Sequence, residues 1–158
     1  MHLKITFFLL SLLSCSSGTM AKRAAGFLIF RRFNSQIEYL LMRASYGAKH
    51  WTPPKGHVDP GEDDFTTALR ETREEAGYTA DDLNIHKDEQ KVLNYKVKGK
   101  DKTVIYWLAE LKDAQKDPKL SEEHTEFRWL PKDEATSLSG YPDFTEMVAY
   151  FHDRIANL

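Results

Sequence analysis

Gly56-His57-Val58-Asp59-Pro60-Gly61-Glu62-Asp63-Asp64-Phe65-Thr66-Thr67-Ala68-Leu69-Arg70-Glu71-Thr72-Arg73-Glu74-Glu75-Ala76-Gly77-Tyr78 is the stretch of this chain that decides its fold. Asp59-Pro60-Gly61 signals a turn. The Asp63-Asp64 pair behind it supplies a helix cap and places negative charge at the positive end of a helix dipole. Phe65, Ala68, Leu69, Thr72 and Ala76 then recur at helical spacing, and Gly77 offers a left-handed stop, so a helix is expected from about Asp64 to Ala76. On that helix Glu71, Glu74 and Glu75 share one face at offsets of three and four. Like charges so placed repel, and a surface helix gains nothing from bearing them. A hard divalent cation such as Mg2+ takes oxygen ligands and neutralises them. It also keeps waters and accepts phosphate oxygens, so this face reads as half of a metal and pyrophosphate site. A merely solvated acidic face accounts for the glutamates alone, but not for the Pro53-Pro54-Lys55-Gly56 segment and the turn that precede them.

Upstream, Ala24 to Phe30 reads as a buried strand. The polar turn Asn34-Ser35-Gln36 and the run Ile37 to Met42 complete a hairpin. Trp51 to His57 contains two prolines and reads as a loop of fixed shape, with any strand in it confined to an edge or bulge. Downstream, Lys91 to Val97 and Thr103 to Leu111 form a second hairpin about Lys98-Gly99-Lys100-Asp101. A short strand, Glu126 to Leu130, and two helices, Pro131 to Ser137 and Asp143 to His152, close the chain. The sum is an α/β (α+β) domain, a mixed sheet with helices packed against it.

The chain's 158 residues, 41% hydrophobic and 29% charged, suit one domain with one core. The net charge of -2, from 22 basic and 24 acidic residues, gives no global attraction to nucleic acid or an anionic membrane. Residues 1–19 differ from the rest. An apolar run, Ile5 to Leu13, precedes Ser14-Cys15-Ser16-Ser17-Gly18-Thr19, the layout of a secretory signal too short to span a bilayer. The favoured expectation is that Met20 begins the working protein and 20–158 is its domain, placed in the cytoplasm. Secretion follows if residues 1–19 are a genuine signal. The single cysteine, Cys15, lies outside the domain and forms no internal disulfide.

Gly56, Glu62, Arg70, Glu71, Glu74, Glu75 and Gly77 stand at the spacing G, five residues, E, seven residues, R-E-x-x-E-E-x-G, which resembles the box of the Nudix hydrolases. The resemblance implies the Nudix fold, a mixed sheet sandwiched between helices, and hydrolysis of a phosphoanhydride chain with Mg2+, or Mn2+ in its place. It implies Glu71, Glu74 and Glu75 as metal ligands, with the Gly56 carbonyl as a further one. Glu62, Arg70 and Gly77 read as structural, Arg70 holding Glu74 from one turn away and Glu62 bracing the loop against the helix. Thr72 and Tyr78 depart from the box, where an aliphatic residue is usual, and tuned packing without loss of activity is expected of both. The base that takes the proton from the attacking water is Glu71, Glu75 or a carboxylate outside the box, for which Glu123 is the candidate.

The segment His50 to Asp63 is similar to the asymmetrical diadenosine tetraphosphate hydrolases within that family. So are Ala25 to Arg31, Leu93-Asn94-Tyr95, Lys102 to Ala109 and Ser121 to Trp129. This likeness implies cleavage of diadenosine tetraphosphate to ATP and AMP. Lys55, His50, His57 and Lys102 are then candidates for the phosphates, and Tyr95, Tyr106 and Tyr141 for stacking on adenine, one or two of them forming a clamp. Trp51 and Trp107 read as packing; His124 could reach a phosphate, but a lone loop histidine reads first as solvated. A monomer acting on a small nucleotide, with neither nucleic acid nor membrane as partner, is expected. The alternatives are removal of pyrophosphate from damaged nucleoside triphosphates in the same site, or a module that binds a nucleotide without cleaving it.

Overall fold

A computed structural model of the chain describes residues 21–158; the signal-like segment expected at 1–19 lies outside them. One sheet runs in the order β3-β2-β1-β6-β5, with β4 added to β1 and β7 to β2. Its strands are β1 (Lys22–Phe33), β2 (Gln36–Ala44), β3 (Trp51–Thr52), β4 (Lys55–His57), β5 (Leu83–Val97), β6 (Lys100–Leu111) and β7 (His124–Pro131). The β1–β6 pair is parallel and all other pairs are antiparallel, so the sheet is mixed as expected.

Helix α1 (Asp64–Ala76) packs on one face of the sheet, where Ala68 and Ala76 meet Phe27, Ile29, Leu40, Met42 and Trp107. Helices α2 (Lys132–Ser139) and α3 (Pro142–Ile155) cover the other. There Phe144, Met147, Val148, Phe151 and Ile155 lie on Leu28, Phe30, Tyr39, Leu41 and Leu108. Alternate residues of β1 and β2 thus serve opposite cores, which is why both strands read as continuous apolar runs.

Helix α1 has the expected ends. Asp63 accepts a hydrogen bond from the Thr66 amide at 2.8 Å, and Gly77 sits at φ 73° as the left-handed stop. The hairpin turns are shorter than the sequence suggests. Only Asn34-Ser35 and Lys98-Gly99 leave the ladder, each with two positive φ values that suit the twist of a two-residue turn. Trp51 to His57 is not wholly loop: it supplies β3 and β4, while Pro53-Pro54, unable to donate to a ladder, forms the joint between them. Strand β5 begins at Leu83 rather than Lys91. Its first half is a polar edge with a register shift between His86 and Gln90, and so lacks the apolar alternation of a half-buried strand.

One feature of this topology positions the site. Along one edge of β1, Phe30–Phe33 pair with β2 while Ala24–Gly26 pair with β4, so the sheet forks. The fork brings β4 against α1 and leaves a cavity beside it.

Candidate active site

The cavity has a volume of about 300 Å3 and two chemically opposite walls. Glu71, Glu74 and Glu75 reach it from α1, Asp59 from the turn before the helix, and Glu123 from the loop before β7. Lys55 and His57 reach it from β4 and Lys102 from β6. Five carboxylates thus face two lysines and a histidine.

Arg70 organises the acidic wall. Its Nε and Nη2 donate to the two oxygens of Glu62, each at 2.9 Å. Nη2 also donates to the His57 carbonyl at 3.0 Å, and Nη1 to Glu71 at 2.9 Å and Glu74 at 3.2 Å. The guanidinium therefore ties β4, the turn and the helix together while holding two of the expected metal ligands. Glu62 also accepts from the Thr67 hydroxyl at 2.6 Å. The hydrogen bonds from Arg70, first among its contacts, hold its carboxyl down at about 2. It is a permanent anion spent on bracing.

The three box glutamates lie in graded environments. Glu74 is 52% exposed. Glu71 is half-buried, and burial pushes its carboxyl above the usual range against the opposing pull of Arg70. Glu75 is only 6% exposed and accepts the Lys55 backbone N–H at 2.9 Å. Burial raises its carboxyl to about 8, with Glu71 and Glu123 adding to the rise. Beside them Gly56 is required by close approach: a methyl group there would overlap the Glu71 carboxyl. Only glycine lets β4 approach the Glu71 carboxyl this closely.

Among the described residues no three Asp, Glu, His or Cys side chains already stand close enough to hold a metal ion. Arg70 draws Glu71 and Glu74 to its own side. The donor set still fits a hard divalent cation, because it consists of oxygens, two of whose carboxylates are destabilised by burial and by one another.

Of the sequence candidates, Lys55, Gly56, His57, Glu71, Glu74, Glu75, Lys102 and Glu123 all line this cavity. Glu123 arrives by a route hidden in the sequence. Strand β7 pairs with β2, and beyond the last rung the Ser45 amide donates to the Glu123 carbonyl at 2.8 Å. His57 is held below its ordinary pKa by burial and then by Lys102, Lys22 and Lys55. Lys102 is lowered by burial and then by Lys55 and Lys22.

His50 and Tyr141 form a separate pair, hydrogen-bonded to each other with ring centroids 5.3 Å apart, and neither lines the cavity. Tyr95 is half-buried against the core, and burial raises its phenol, with the neighbouring Tyr141 adding to the rise. Tyr106 is 4% exposed within that core and offers no free ring face. Trp51 and Trp107 do pack in the two cores. His124 corrects the sequence reading. It is buried at 8% exposure, with Nδ1 lacking a partner, and burial lowers its pKa to about 4. Tyr46, 63% exposed at the cavity mouth, was not foreseen. Its proximity to Glu123, Glu75 and Glu71 is registered by the rise that their charges add to the effect of burial on its phenol. An aromatic residue beside Gly47 in an irregular loop is the only signal the sequence holds for it.

The fold and this box define a family, and the comparison with known proteins agrees. The NUDIX domain profile matches residues 20–151, and the chain belongs to the NUDIX family. It is similar to the mouse bis(5'-nucleosyl)-tetraphosphatase (asymmetrical), with 54% identity over 82% of this chain and 90% of the mouse protein. The protein of that name from Caenorhabditis elegans is 46% identical over 84% of this chain and 95% of its own length. Among solved structures, a C. elegans Ap4A hydrolase binary complex superposes with a TM-score of 0.84 at 44% identity, covering 87% of this chain and 99% of that one. The expected Nudix architecture is the one observed. Among the described residues no helix is long and apolar enough to cross a membrane.

Proposed function

We propose that the domain, residues 20–158, hydrolyses diadenosine tetraphosphate asymmetrically to ATP and AMP with Mg2+, or Mn2+ in its place, in the cytoplasm. The observation that carries this reading is the cavity itself, an acidic wall from α1 facing Lys55 and Lys102 across a space of about 300 Å3. The sequence likeness to tetraphosphatases over more than four-fifths of the chain supports the choice of substrate.

Glu71, Glu74, Glu75 and the Gly56 carbonyl would hold the cation, which when bound lowers the pKa of water and screens the phosphate oxygens. Lys55 and Lys102 neutralise the remaining charge of the four phosphates, with His57 as a hydrogen-bonding neighbour. In the reaction a water oxygen bonds to phosphorus, the bridging P–O bond breaks, and the electron pair leaves with the departing phosphate chain. The released proton passes to a carboxylate. Glu123 suits that role, since it lines the cavity and no described group donates a hydrogen bond to its carboxylate. Glu75 is less suited, because its buried carboxylate already accepts the Lys55 backbone N–H and would be committed to the cation. Outside the cavity, Tyr141 with His50, backed by Tyr95, is an exposed aromatic group available to an adenine. Tyr106 serves there only as support from within the core.

Product analysis with diadenosine tetraphosphate in oxygen-18 water tests the proposal. ATP and AMP, with the label in a single product, are expected. ADP as sole product, or no turnover, would overturn it.

A further inference from the structure

Between β6 and β7 the chain runs from Lys112 to Glu123 without helix or strand, a length at which an unsupported connection would wander. It is pinned instead to the segment just after the box. The Lys119 amide donates to the Ala76 carbonyl, the last of α1, at 2.8 Å. Lys119 lies so close to Gly77 that a side chain there would collide with it. The Lys112 amide donates to the Asp82 carbonyl at 3.0 Å, and Lys116 Nζ pairs with the Asp82 carboxylate at 2.6 Å. At the centre is Tyr78. Its ring is buried among the residues of the α1 core, and its hydroxyl donates to the Lys116 carbonyl at 2.5 Å. An aliphatic residue in its place would fill the core and leave that carbonyl without this donor. Seven residues beyond Lys116 the same connection delivers Glu123 to the cavity.

We infer that Tyr78 is a positioning residue: its phenol clasps the connection that carries Glu123 and so fixes that carboxylate against the acidic wall of α1. This rests on the reading of Glu123 as the proton acceptor, and it assigns to Tyr78 more than the packing its place in the box suggests. A base must lie within hydrogen-bond reach of the proton it removes, and displacement of a reacting group by a fraction of an ångström is enough to slow the step.

The test uses the full chain with diadenosine tetraphosphate and Mg2+. Tyr78→Phe, Glu123→Gln and the double variant are compared by kcat, KM and amide hydrogen exchange. Tyr78→Phe keeps the ring in the core and removes only the hydroxyl. A fall in kcat of about fivefold is expected, the rate equivalent of one lost hydrogen bond, with KM within about twofold of the parent. Faster exchange of the Lys119 and His124 amides should accompany it. In the Glu123→Gln background the same substitution should produce no further loss. An unchanged kcat and unchanged exchange in Tyr78→Phe, or an equal fractional loss in both backgrounds, would overturn the inference. If Glu123→Gln alone leaves kcat intact, the assignment of the base fails, and Tyr78 is no longer a positioning residue for it. The exchange of Lys119 and His124 then reports separately whether the clasp exists.

Discussion

Helices α1 and α3 face each other across the same sheet, yet they are built on different terms. The inner side of α3 buries Phe144, Met147, Val148, Phe151 and Ile155, a surface with no polar atom to satisfy. That of α1 buries Thr67, Ala68, Thr72, Glu75 and Ala76, small or polar groups that include a carboxylate and an unpartnered hydroxyl, Thr72 Oγ1. Large apolar side chains stabilise through the area and contacts they remove from water, so α3 is a support. Helix α1 is fastened instead by an N-cap, by the Arg70–Glu62 clamp and by the Glu75 bond to β4, the last two of which also orient the site. The two helices differ in what holds them, apolar area for α3 and polar ties for α1.

That contrast predicts opposite phenotypes. Glu75→Gln should lower kcat for diadenosine tetraphosphate by at least ~100-fold, as loss of a metal-orienting group does, without lowering the melting temperature of the metal-free protein. Steady-state kinetics and a thermal melt on one sample check both parts. Phe151→Ala should do the reverse. Emptying a fully buried aromatic site costs about 3–5 kcal/mol, read by urea denaturation, while KM of the folded fraction stays at the parent value.

The same Glu75 carboxyl makes stability depend on pH. Because the Glu75 carboxyl is raised to about 8 in the folded chain from an ordinary 4.5, the metal-free folded state holds a proton through a range where the unfolded state has released it. This stabilising contribution is present in full below about 4.5 and lost as pH rises towards 8. The melting temperature of metal-free protein should therefore fall between pH 5 and 8, the fall should flatten in Glu75→Gln, and Mg2+ should restore it at pH 8. Smallest is Asp63→Ala, which removes the α1 cap. A loss of about 1 kcal/mol is expected, with kcat little changed, since Glu62 and Arg70 still brace the catalytic turn.

How much of this was legible in the sequence follows the same division between local and distant. The bounds of α1, the cap at Asp63, the stop at Gly77 and the acidic face are written in consecutive residues and needed no tertiary partner. The hold of Arg70 on Glu74 follows from helical spacing, but its bidentate hold on Glu62 depends on how the turn before α1 folds against the helix. Strands β3 and β4 were hidden by prolines, and the first half of β5 by its polar edge. The burial of His124 and the exposure of Tyr46 over the acidic wall arise where the loops after β2 and before β7 meet, a contact between residues about eighty apart. No periodicity records such a meeting.

Every role proposed for the cavity follows from the α1 carboxylates gathering a divalent cation. The direct measurement is Mn2+ binding by electron paramagnetic resonance, on the parent and on Glu71→Gln and Glu75→Gln. Saturable binding in the parent, weakened at least ~10-fold in either variant, is the predicted result. Equal binding in all three proteins would contradict it.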